Sequence, residues 1–516
     1  MPANGLFRTK SVEQSILDTD EPDTKLRKNL GSWDLIVFGV SVVIGAGIFT
    51  IAARTAGDVS GPAVSISFVI AALACGFAAL CYAEFASTVP VAGSAYTYSY
   101  ATFGEFLAWI IGWDLILEFS IAAAAVSKGW SQYLNEVSAL AGLNVPTALD
   151  MGPLQFDWGA VLLIAALVTM LALGTKLSAR FSLIITLIKV SVVLFVVVVG
   201  AAYINAANYV PFVPPAQGAT EDAAALDQSL LSLLLGGESS NFGVFGLLAG
   251  ASLVFFAFIG FDVVATTAEE TKNPQKDAPR GILGTLVICT VLYVLVALVV
   301  TGMVPYTELA TDPVTGDQST LATAFAANGI FWAAGLISVG ALVGLTTVVM
   351  VLLLGQVRVL FAMSRDGLVP RALAHTDAKR GTPVRATVIV GVVVMIAAGF
   401  FPAGKLEEMV NVGTLFAFIL VSAGVIVLRR SRPDLPRGFK APFVPLIPIL
   451  AIVSCLWLML NLTALTWVRF LVWMAAGVVI YFLYSRKHSV LAKRLAGEEG
   501  GSTADGSSGG STAVKD

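Results

Sequence analysis

The sequence is poor in charged residues, which make up 13% of its 516 residues. A typical soluble domain has about 25%, whereas 57% of this chain is hydrophobic and its mean hydropathy is +0.84. Short polar loops separate apolar runs of about 20 residues, which is the length that spans a bilayer. This pattern excludes a soluble globular protein and predicts an all-α integral membrane protein.

The chain also has few histidines and cysteines. Its two histidines, His375 and His488, lie in a loop and near the C-terminus, outside the apolar runs. The four cysteines lie in apolar runs without metal-ligand spacing, so they are predicted to be buried small hydrophobic residues. No metal and no cofactor are expected. The N-terminal segment has no apolar core, so no cleavable signal peptide is predicted.

Apolar runs predict 12 transmembrane helices. They cover residues 33–55, 62–88, 103–133, 157–177, 180–206, 241–267, 281–303, 328–362, 384–402, 406–429, 445–466 and 468–485. Lysine and arginine concentrate before the first span, after the twelfth, and in the loops after the fourth, sixth, eighth and tenth, whereas loops 205–240 and 305–328 are acidic only. By the positive-inside rule, both termini are predicted to be cytoplasmic, in a multi-pass protein of the plasma membrane.

Glycines interrupt two of these spans near the middle. The first span contains VSVVIGAGIFT (40–50), with Gly45 and Gly47, and the sixth contains LVFFAFIGFDVVA (253–265), with Gly260. Unpaired backbone groups are costly in hydrocarbon, so such breaks usually line a cavity. Paired breaks in the two halves of a chain indicate the central site of a transporter.

The spacing of the breaks predicts the domain organisation. Spans one to five and six to ten would form a 5+5 inverted repeat, because an odd number of spans per half reverses the orientation. The predicted parts are a cytoplasmic segment 1–32, repeat one 33–206, repeat two 241–429, spans eleven and twelve 445–485, and a disordered cytoplasmic tail 486–516, in which residues 497–516 are Gly/Ser-rich.

The two breaks are suited to the head group of an amino acid. The N-terminus of a half-helix attracts a carboxylate through its unpaired N–H groups and its partial positive charge, and the free carbonyls of the other half suit an ammonium group. The alternative is that Gly45, Gly47 and Gly260 only permit close helix packing.

Lys189 lies in the middle of the fifth span, where an ionisable residue is a functional candidate by default. A lysine in a water-lined crevice can change its charge near physiological pH. We therefore predict that Lys189 is the site of a coupling proton. When charged it would bond the exposed carbonyls of the first helix, and when neutral it would release them. The alternative is a lysine that snorkels to the membrane surface.

Three acidic residues and two threonines are further candidates within the spans. Asp114 and Glu118 are four residues apart on one face of the third span. Glu118 is the deeper one and could meet a cationic substrate or a proton, unless the two only form a structural pair. Asp262 is predicted to cap the second half of the sixth span. Thr346 and Thr347 could coordinate sodium or bond a helix carbonyl.

Several long motifs resemble those of one transporter family. They are IGAGIF (44–49), GWDLILEF (112–119), FFAFIGFDVVATTAEETKNPQKDAPRGI (255–282), RVLFAMSRDGLVP (358–370), GTPVRATV (381–388), and FKAPFVPLIPIL followed by TWVRF (439–470). Over about residues 30–486 the chain resembles the amino acid–polyamine–organocation (APC) superfamily, and within it the bacterial relatives of the cationic amino acid transporters. The resemblance implies the LeuT-like fold of sodium-coupled amino acid transporters, with broken helices 1 and 6, and alternating access.

The resemblance also implies roles for individual residues. The backbone that binds the substrate's carboxylate and amino groups is expected at Ile44, Gly45, Ala46, Gly47, Phe256, Ala257 and Ile259. Phe256 is expected to form part of the gate, Lys189 matches the fifth-span lysine that replaces sodium, and Glu118 matches the acidic residue of the third-span motif. Leu345 and Thr346 are expected to set the size of the pocket. Ala46 stands where many relatives have threonine, which removes one hydroxyl from the site.

The leading prediction is a proton-coupled amino acid symporter, for cationic (arginine, lysine, ornithine) or small neutral (alanine) substrates. An exchanger or a sodium-coupled symporter on the same fold is the alternative, although an ammonium at Lys189 would compete with sodium. No filter-like loop supports a channel, and no catalytic pairing supports an enzyme. The expected partners are the amino acid, protons and the lipid bilayer, and no nucleic acid. A monomer is expected, and a small accessory membrane subunit is left open.

Overall fold

A computed structural model describes residues 6, 8–9, 30–91, 94–143, 146–150, 155–174, 179–218, 225–236, 240–311, 318–377 and 382–495. Most of the predicted N-terminal segment and residues 496–516 of the predicted tail lie outside the described residues. Helices dominate the described part. The prediction of an α-helical membrane protein is confirmed, whereas the number of membrane crossings and the inverted repeat stay predictions.

The long helices follow one another along the whole described chain. They are α1 (Ser32–Val43), α2 (Val64–Thr88), α3 (Glu105–Leu140), α4 (Trp158–Ala172), α5 (Ala179–Gly200), α6 (Gly243–Val254), α7 (Pro274–Met303), α8 (Phe331–Arg365), α9 (Val384–Phe400), α10 (Ala403–Ser431), α11 (Leu446–Leu460) and α12 (Ala464–Ile480). Among the described residues, 8 helical stretches are long and apolar enough to cross a membrane, and α1, α4, α9 and α11 are shorter apolar helices.

Short elements that the apolar runs did not predict lie between these helices. Two antiparallel strand pairs join Ala148–Asp150 to Gln155–Asp157 and Gln217–Gly218 to Ser240–Asn241. Short helices cover Ser94–Thr102, Leu230–Leu235 and Leu321–Ala327. The helix α3 also continues past its predicted end at residue 133. A search for apolar runs of about 20 residues misses these elements because each is too short to span a bilayer.

The helices α3 and α8 pack along each other at the centre, and α10 lies against α3. On the other side α7 packs against both α1 and α2. Glycine permits the approach of α1 to α7, since a Cβ atom on Gly39 would lie 2.2 Å from Oγ1 of Thr285. Small residues at helix interfaces allow such contacts in membranes, where packing replaces the hydrophobic drive.

The outer surface carries many exposed aliphatic side chains, while the interior carries paired charges. Leu187 is 58% exposed and Val198 is 71% exposed. An apolar surface of this extent is unfavourable in water and is suited to lipid. Inside, the carboxylate of Glu105 pairs with Arg8, that of Glu84 with Arg429, and that of Glu407 with Arg54. Pairing offsets the cost of burying these charges.

Candidate functional site

The first interruption separates α1 from a second helical half. The last residue of α1 is Val43, and Ile44 is extended, with φ −69° and ψ 92°. The chain then continues through a π-helical turn at Gly47–Ile51 into Ala52–Thr55. A helix leaves its first N–H groups and its last carbonyls without partners inside the helix. The N–H groups of residues 45–47 and the last carbonyls of α1 are therefore brought together here.

The second interruption follows α6. A 3-10 turn at Phe255–Phe258 ends at Ile259, which is extended, and Gly260 has a φ of +116°. Glycine is favoured there because residues with a side chain rarely adopt this conformation. Asp262 is buried and accepts a hydrogen bond from the N–H of Gly260 at 3.2 Å.

The prediction that Asp262 caps the following half-helix is wrong. The Val263–Thr266 turn has no capping bond from a side chain. The Asp262 carboxylate is instead used by the backbone of Gly260, two residues before it, so it stabilises the turn of the interruption itself.

The two interruptions touch through their backbones. A Cβ atom on Gly47 would lie 2.2 Å from Cα of Ala257, and one on Gly260 would lie 2.8 Å from Cγ1 of Val42. A Cβ atom on Gly45, by contrast, would meet Val348 at 3.4 Å, an ordinary contact distance. Close packing therefore explains Gly47 and Gly260, and it does not explain Gly45.

A narrow cavity lies between the interruptions and the helices α3 and α8. The interruptions contribute Val42, Val43, Gly45, Ala46, Gly47, Phe256 and Ile259 to its wall. The two helices contribute four aliphatic side chains, which are Ala122, Val126, Val348 and Leu352. No charged side chain is among these lining residues. The arrangement places polar backbone groups at one side of an otherwise apolar space.

The predicted substrate residues divide into two groups. Gly45, Ala46, Gly47, Phe256 and Ile259 line the cavity, whereas Ile44, Ala257, Glu118, Leu345 and Thr346 do not. Ala257 packs behind Gly47. Leu345 is buried on the same stripe of α8 as Val348 and Leu352, but beyond the cavity wall.

Sequence reasoning missed the four aliphatic lining residues, although a signal for them existed. Val348 and Leu352 follow Leu345 at i+3 and i+7, and Ala122 and Val126 follow Glu118 at i+4 and i+8. Residues at these spacings share one helix face. The predicted residues Leu345 and Glu118 therefore lie on the cavity-lining faces of α8 and α3, about one helical turn from the cavity.

Glu118 and Asp114 are fully buried beside the cavity. Within the described part of the chain, none of their carboxylate oxygens has a hydrogen-bond partner. Asp114 lies against α10, where a Cβ atom on Gly413 would be 2.9 Å from its Oδ1. Thr414 of α10 lies beside the Glu118 carboxylate, so the structural pairing and the functional role both stay predictions for these residues.

Lys189 is fully buried and reaches the end of α1. Its Nζ donates to the carbonyl of Ser41 at 2.6 Å, and its methylene groups pack against Gly344, where a Cβ atom would be 3.0 Å from its Cγ. No carboxylate among the described residues forms an ion pair with it. This is the contact expected of the charged form, and the role in proton coupling stays a prediction.

Other side chains bind the backbone around the cavity. The hydroxyl of Tyr293 donates to the carbonyl of Val43 at 2.7 Å, and that of Tyr133 donates to the carbonyl of Phe49 at 2.6 Å. Asn411 of α10 donates to the carbonyl of Ser252 at the end of α6, at 2.8 Å. Arg54, in the second half of the first broken helix, pairs with Glu407 and so links that half to α10.

The two threonines of α8 bond within their own helix. The Thr346 hydroxyl donates to the carbonyl of Leu342 at 2.7 Å, and that of Thr347 donates to the carbonyl of Gly344 at 2.8 Å. No group of three or more His, Cys, Asp or Glu residues in the described ranges could hold a metal ion. In the structure, both hydroxyls therefore bond to backbone carbonyls of their own helix.

The close contact of Gly47 with Ala257 leads to a prediction. Gly47→Ala is expected to lower the free energy of unfolding by about 1–3 kcal/mol, because the added methyl group forces the backbone of residue 257 to move. The same displacement is expected to abolish transport. The melting temperature of the purified protein and uptake into proteoliposomes measure both effects. Gly76→Ala is the matched control, since its Cβ atom would meet only Leu286, at 3.9 Å. Normal stability and uptake of the Gly47 variant would contradict the prediction.

Comparison with known proteins agrees with this architecture. The model of the amino acid permease family matches residues 30–485. The branched-chain amino acid permease BcaP of Bacillus subtilis (strain 168) is 46% identical over 493 residues, covering 94% of this chain and 99% of the relative. The methylthioribose transporter of the same organism is 42% identical, covering 95% of this chain and 100% of the relative.

A plant relative is more distant. Cationic amino acid transporter 4, vacuolar, of Arabidopsis thaliana is 31% identical over 608 residues, covering 95% of this chain and 96% of the relative. These relatives are permeases and transporters, not enzymes. The family model covers most of the chain, and BcaP is 46% identical over nearly the whole length. The chain therefore belongs to the amino acid permease family of the APC superfamily.

Proposed function

We propose that this protein is a proton-coupled symporter for neutral aliphatic amino acids, including branched-chain ones, and that it works by alternating access. The observation that carries the proposal is the cavity at which the two helix interruptions meet. It combines backbone groups that suit a zwitterionic head group with side chains that suit an aliphatic one.

The head group is assigned to the interruptions. The N–H groups of residues 45–47 stand at the start of a helical half and would hold the carboxylate, with help from the helix dipole. The carbonyl of Val42, which lines the cavity, and those of the Phe255–Phe258 turn would accept from the ammonium group. Phe256 lines the same space and would close over the bound substrate.

The substrate side chain is assigned to α3 and α8. Ala122, Val126, Val348 and Leu352 offer only aliphatic surface, and burying an unpaired cationic side chain against such a wall is very costly. Glu118, the carboxylate that could compensate, is not part of the cavity wall. The lining therefore favours neutral substrates over arginine or lysine, and BcaP, a branched-chain amino acid permease, is among the relatives.

The coupling proton is assigned to Lys189. When protonated, its Nζ makes a charge-assisted bond to the carbonyl of Ser41, so α1 is held against α5. Loss of the proton would weaken this bond and release the end of α1 that adjoins the interruption. An exchanger or a sodium-coupled symporter on the same fold is the alternative. The position of the Lys189 ammonium at the carbonyl of Ser41 favours protons, because a sodium ion would compete with it for the same site.

The membrane arrangement belongs to the same proposal. Twelve crossings, two inverted repeats of five helices, a plasma-membrane location and cytoplasmic termini are supported by the positions of the basic residues and by the apolar helices. The protein would act as a monomer, with an accessory membrane subunit left open.

A first test concerns the proposed proton site. Lys189→Met is expected to abolish accumulation of substrate driven by an inward proton gradient in proteoliposomes, because a thioether cannot carry the proton. Lys128→Met is the matched control. Lys128 is a residue of α3 that does not line the cavity, and it pairs with Asp157 at 3.4 Å. Normal proton-driven accumulation in the Lys189 variant would remove the basis of the mechanism.

A second test concerns substrate and ion. Uptake of labelled leucine, alanine and arginine would be compared under a proton gradient and under a sodium gradient. Saturable leucine uptake driven by protons is expected, with arginine at least about tenfold weaker as a competitor, which corresponds to about 1.4 kcal/mol. Preferred arginine uptake would refute the substrate assignment. A strict need for sodium would make Lys189 structural and direct attention to Thr346 and Thr347.

A third test concerns orientation. A cysteine at Ala207, in an exposed turn after α5, is expected to react with a membrane-impermeant maleimide on intact cells. A cysteine at Lys487, after α12, is expected to react only after permeabilisation, because the basic side faces the cytoplasm. The native protein is the control, since its four cysteines are buried. The reverse labelling pattern would overturn the assigned topology.

A further inference from the structure

Two backbone carbonyls at the end of α1 accept hydrogen bonds from side chains. In an uninterrupted helix, each carbonyl accepts from the N–H four residues later. The carbonyl of Ser41 would then accept from Gly45, and that of Val43 would accept from Gly47. Instead, the Ser41 carbonyl accepts from Lys189 and the Val43 carbonyl accepts from the hydroxyl of Tyr293. Two side chains therefore occupy acceptors that would otherwise continue the helix.

Tyr293 also contacts the second interruption. It is a fully buried residue of α7, and its ring lies 5.3 Å from the ring of Phe258, measured between centroids. Phe258 is the last residue of the turn before Ile259. A single side chain thus binds the first interruption with its hydroxyl and supports the second with its ring. Phe68 of α2 fixes that ring from another direction, at 5.7 Å.

We propose that Tyr293 is a positioning residue for the substrate, one that keeps the first interruption open. By occupying the Val43 carbonyl, it leaves the N–H of Gly47 available to the substrate's carboxylate. The inference rests on the proposed function, because it acts on the head-group site. A tyrosine hydroxyl stays neutral at physiological pH, so this bond persists whichever charge Lys189 carries.

The functions of the two side chains are therefore separable. Lys189 approaches α1 from α5 and Tyr293 approaches it from α7, at carbonyls two residues apart. Loss of Lys189 removes the proton dependence of uptake. Loss of the Tyr293 hydroxyl leaves that dependence in place and weakens substrate binding.

Tyr293→Phe tests the proposal, because it removes one oxygen atom and keeps the ring packed against Phe258. Tyr209→Phe is the matched control. The Tyr209 hydroxyl also donates to a backbone carbonyl of α7, that of Leu298, at 2.7 Å, but Leu298 does not line the cavity. Initial rates of proton-driven leucine uptake give KM and maximal rate for each variant. The leucine-induced rise in melting temperature gives binding without transport.

The expected result is a KM for leucine raised about tenfold in Tyr293→Phe, as for one lost hydrogen bond, with proton dependence retained. The maximal rate should change less than about twofold, and Tyr209→Phe should match the native protein. An unchanged KM would overturn the inference. So would a lower melting temperature and a lower maximal rate at unchanged KM, which indicate a structural role. A native protein that takes up no amino acid contradicts the proposed function itself.

Discussion

Backbone hydrogen bonding in hydrocarbon is the constraint on which this structure depends. A helix that breaks inside a membrane leaves polar groups that water cannot reach, and each costs several kcal/mol unless a partner is provided. The chain provides side chains as partners: Lys189 and Tyr293 bind the end of α1, Asn411 binds the end of α6, and Asp262 binds Gly260. The backbone of residues 45–47, which none of these four side chains binds, lines the cavity and forms the proposed head-group site.

The two walls of the cavity differ in composition. Where the two interruptions meet, the backbones approach so closely that Gly47 faces Ala257 without room for a side chain. Where α3 and α8 form the opposite wall, aliphatic side chains fill the space. Backbone groups thus line one face of the cavity and aliphatic side chains line the other. An amino acid has the same division between its head group and an aliphatic side chain.

The sequence predicted part of this arrangement and missed the rest for identifiable reasons. Gly45, Gly47 and Gly260 marked both interruptions because glycine within an apolar run is visible without structure. Lys189 was visible because a charge in a span is rare. Tyr293 was not, since one tyrosine in a long apolar run carries no signal until its hydroxyl is seen at a carbonyl. The position of Glu118 outside the cavity wall depends on how α3 rotates against its neighbours, which spacing alone does not give.

The backbone contact between Gly47 and Ala257 has a consequence for how this framework diversifies. This contact leaves no room for a side chain at residue 47, so substitution there disturbs the packing of the interruptions before it alters recognition. The aliphatic wall lies on separate helices and can be exchanged one residue at a time. A close contact that tolerates little change, beside a wall that can be exchanged, would let one framework acquire new cargo.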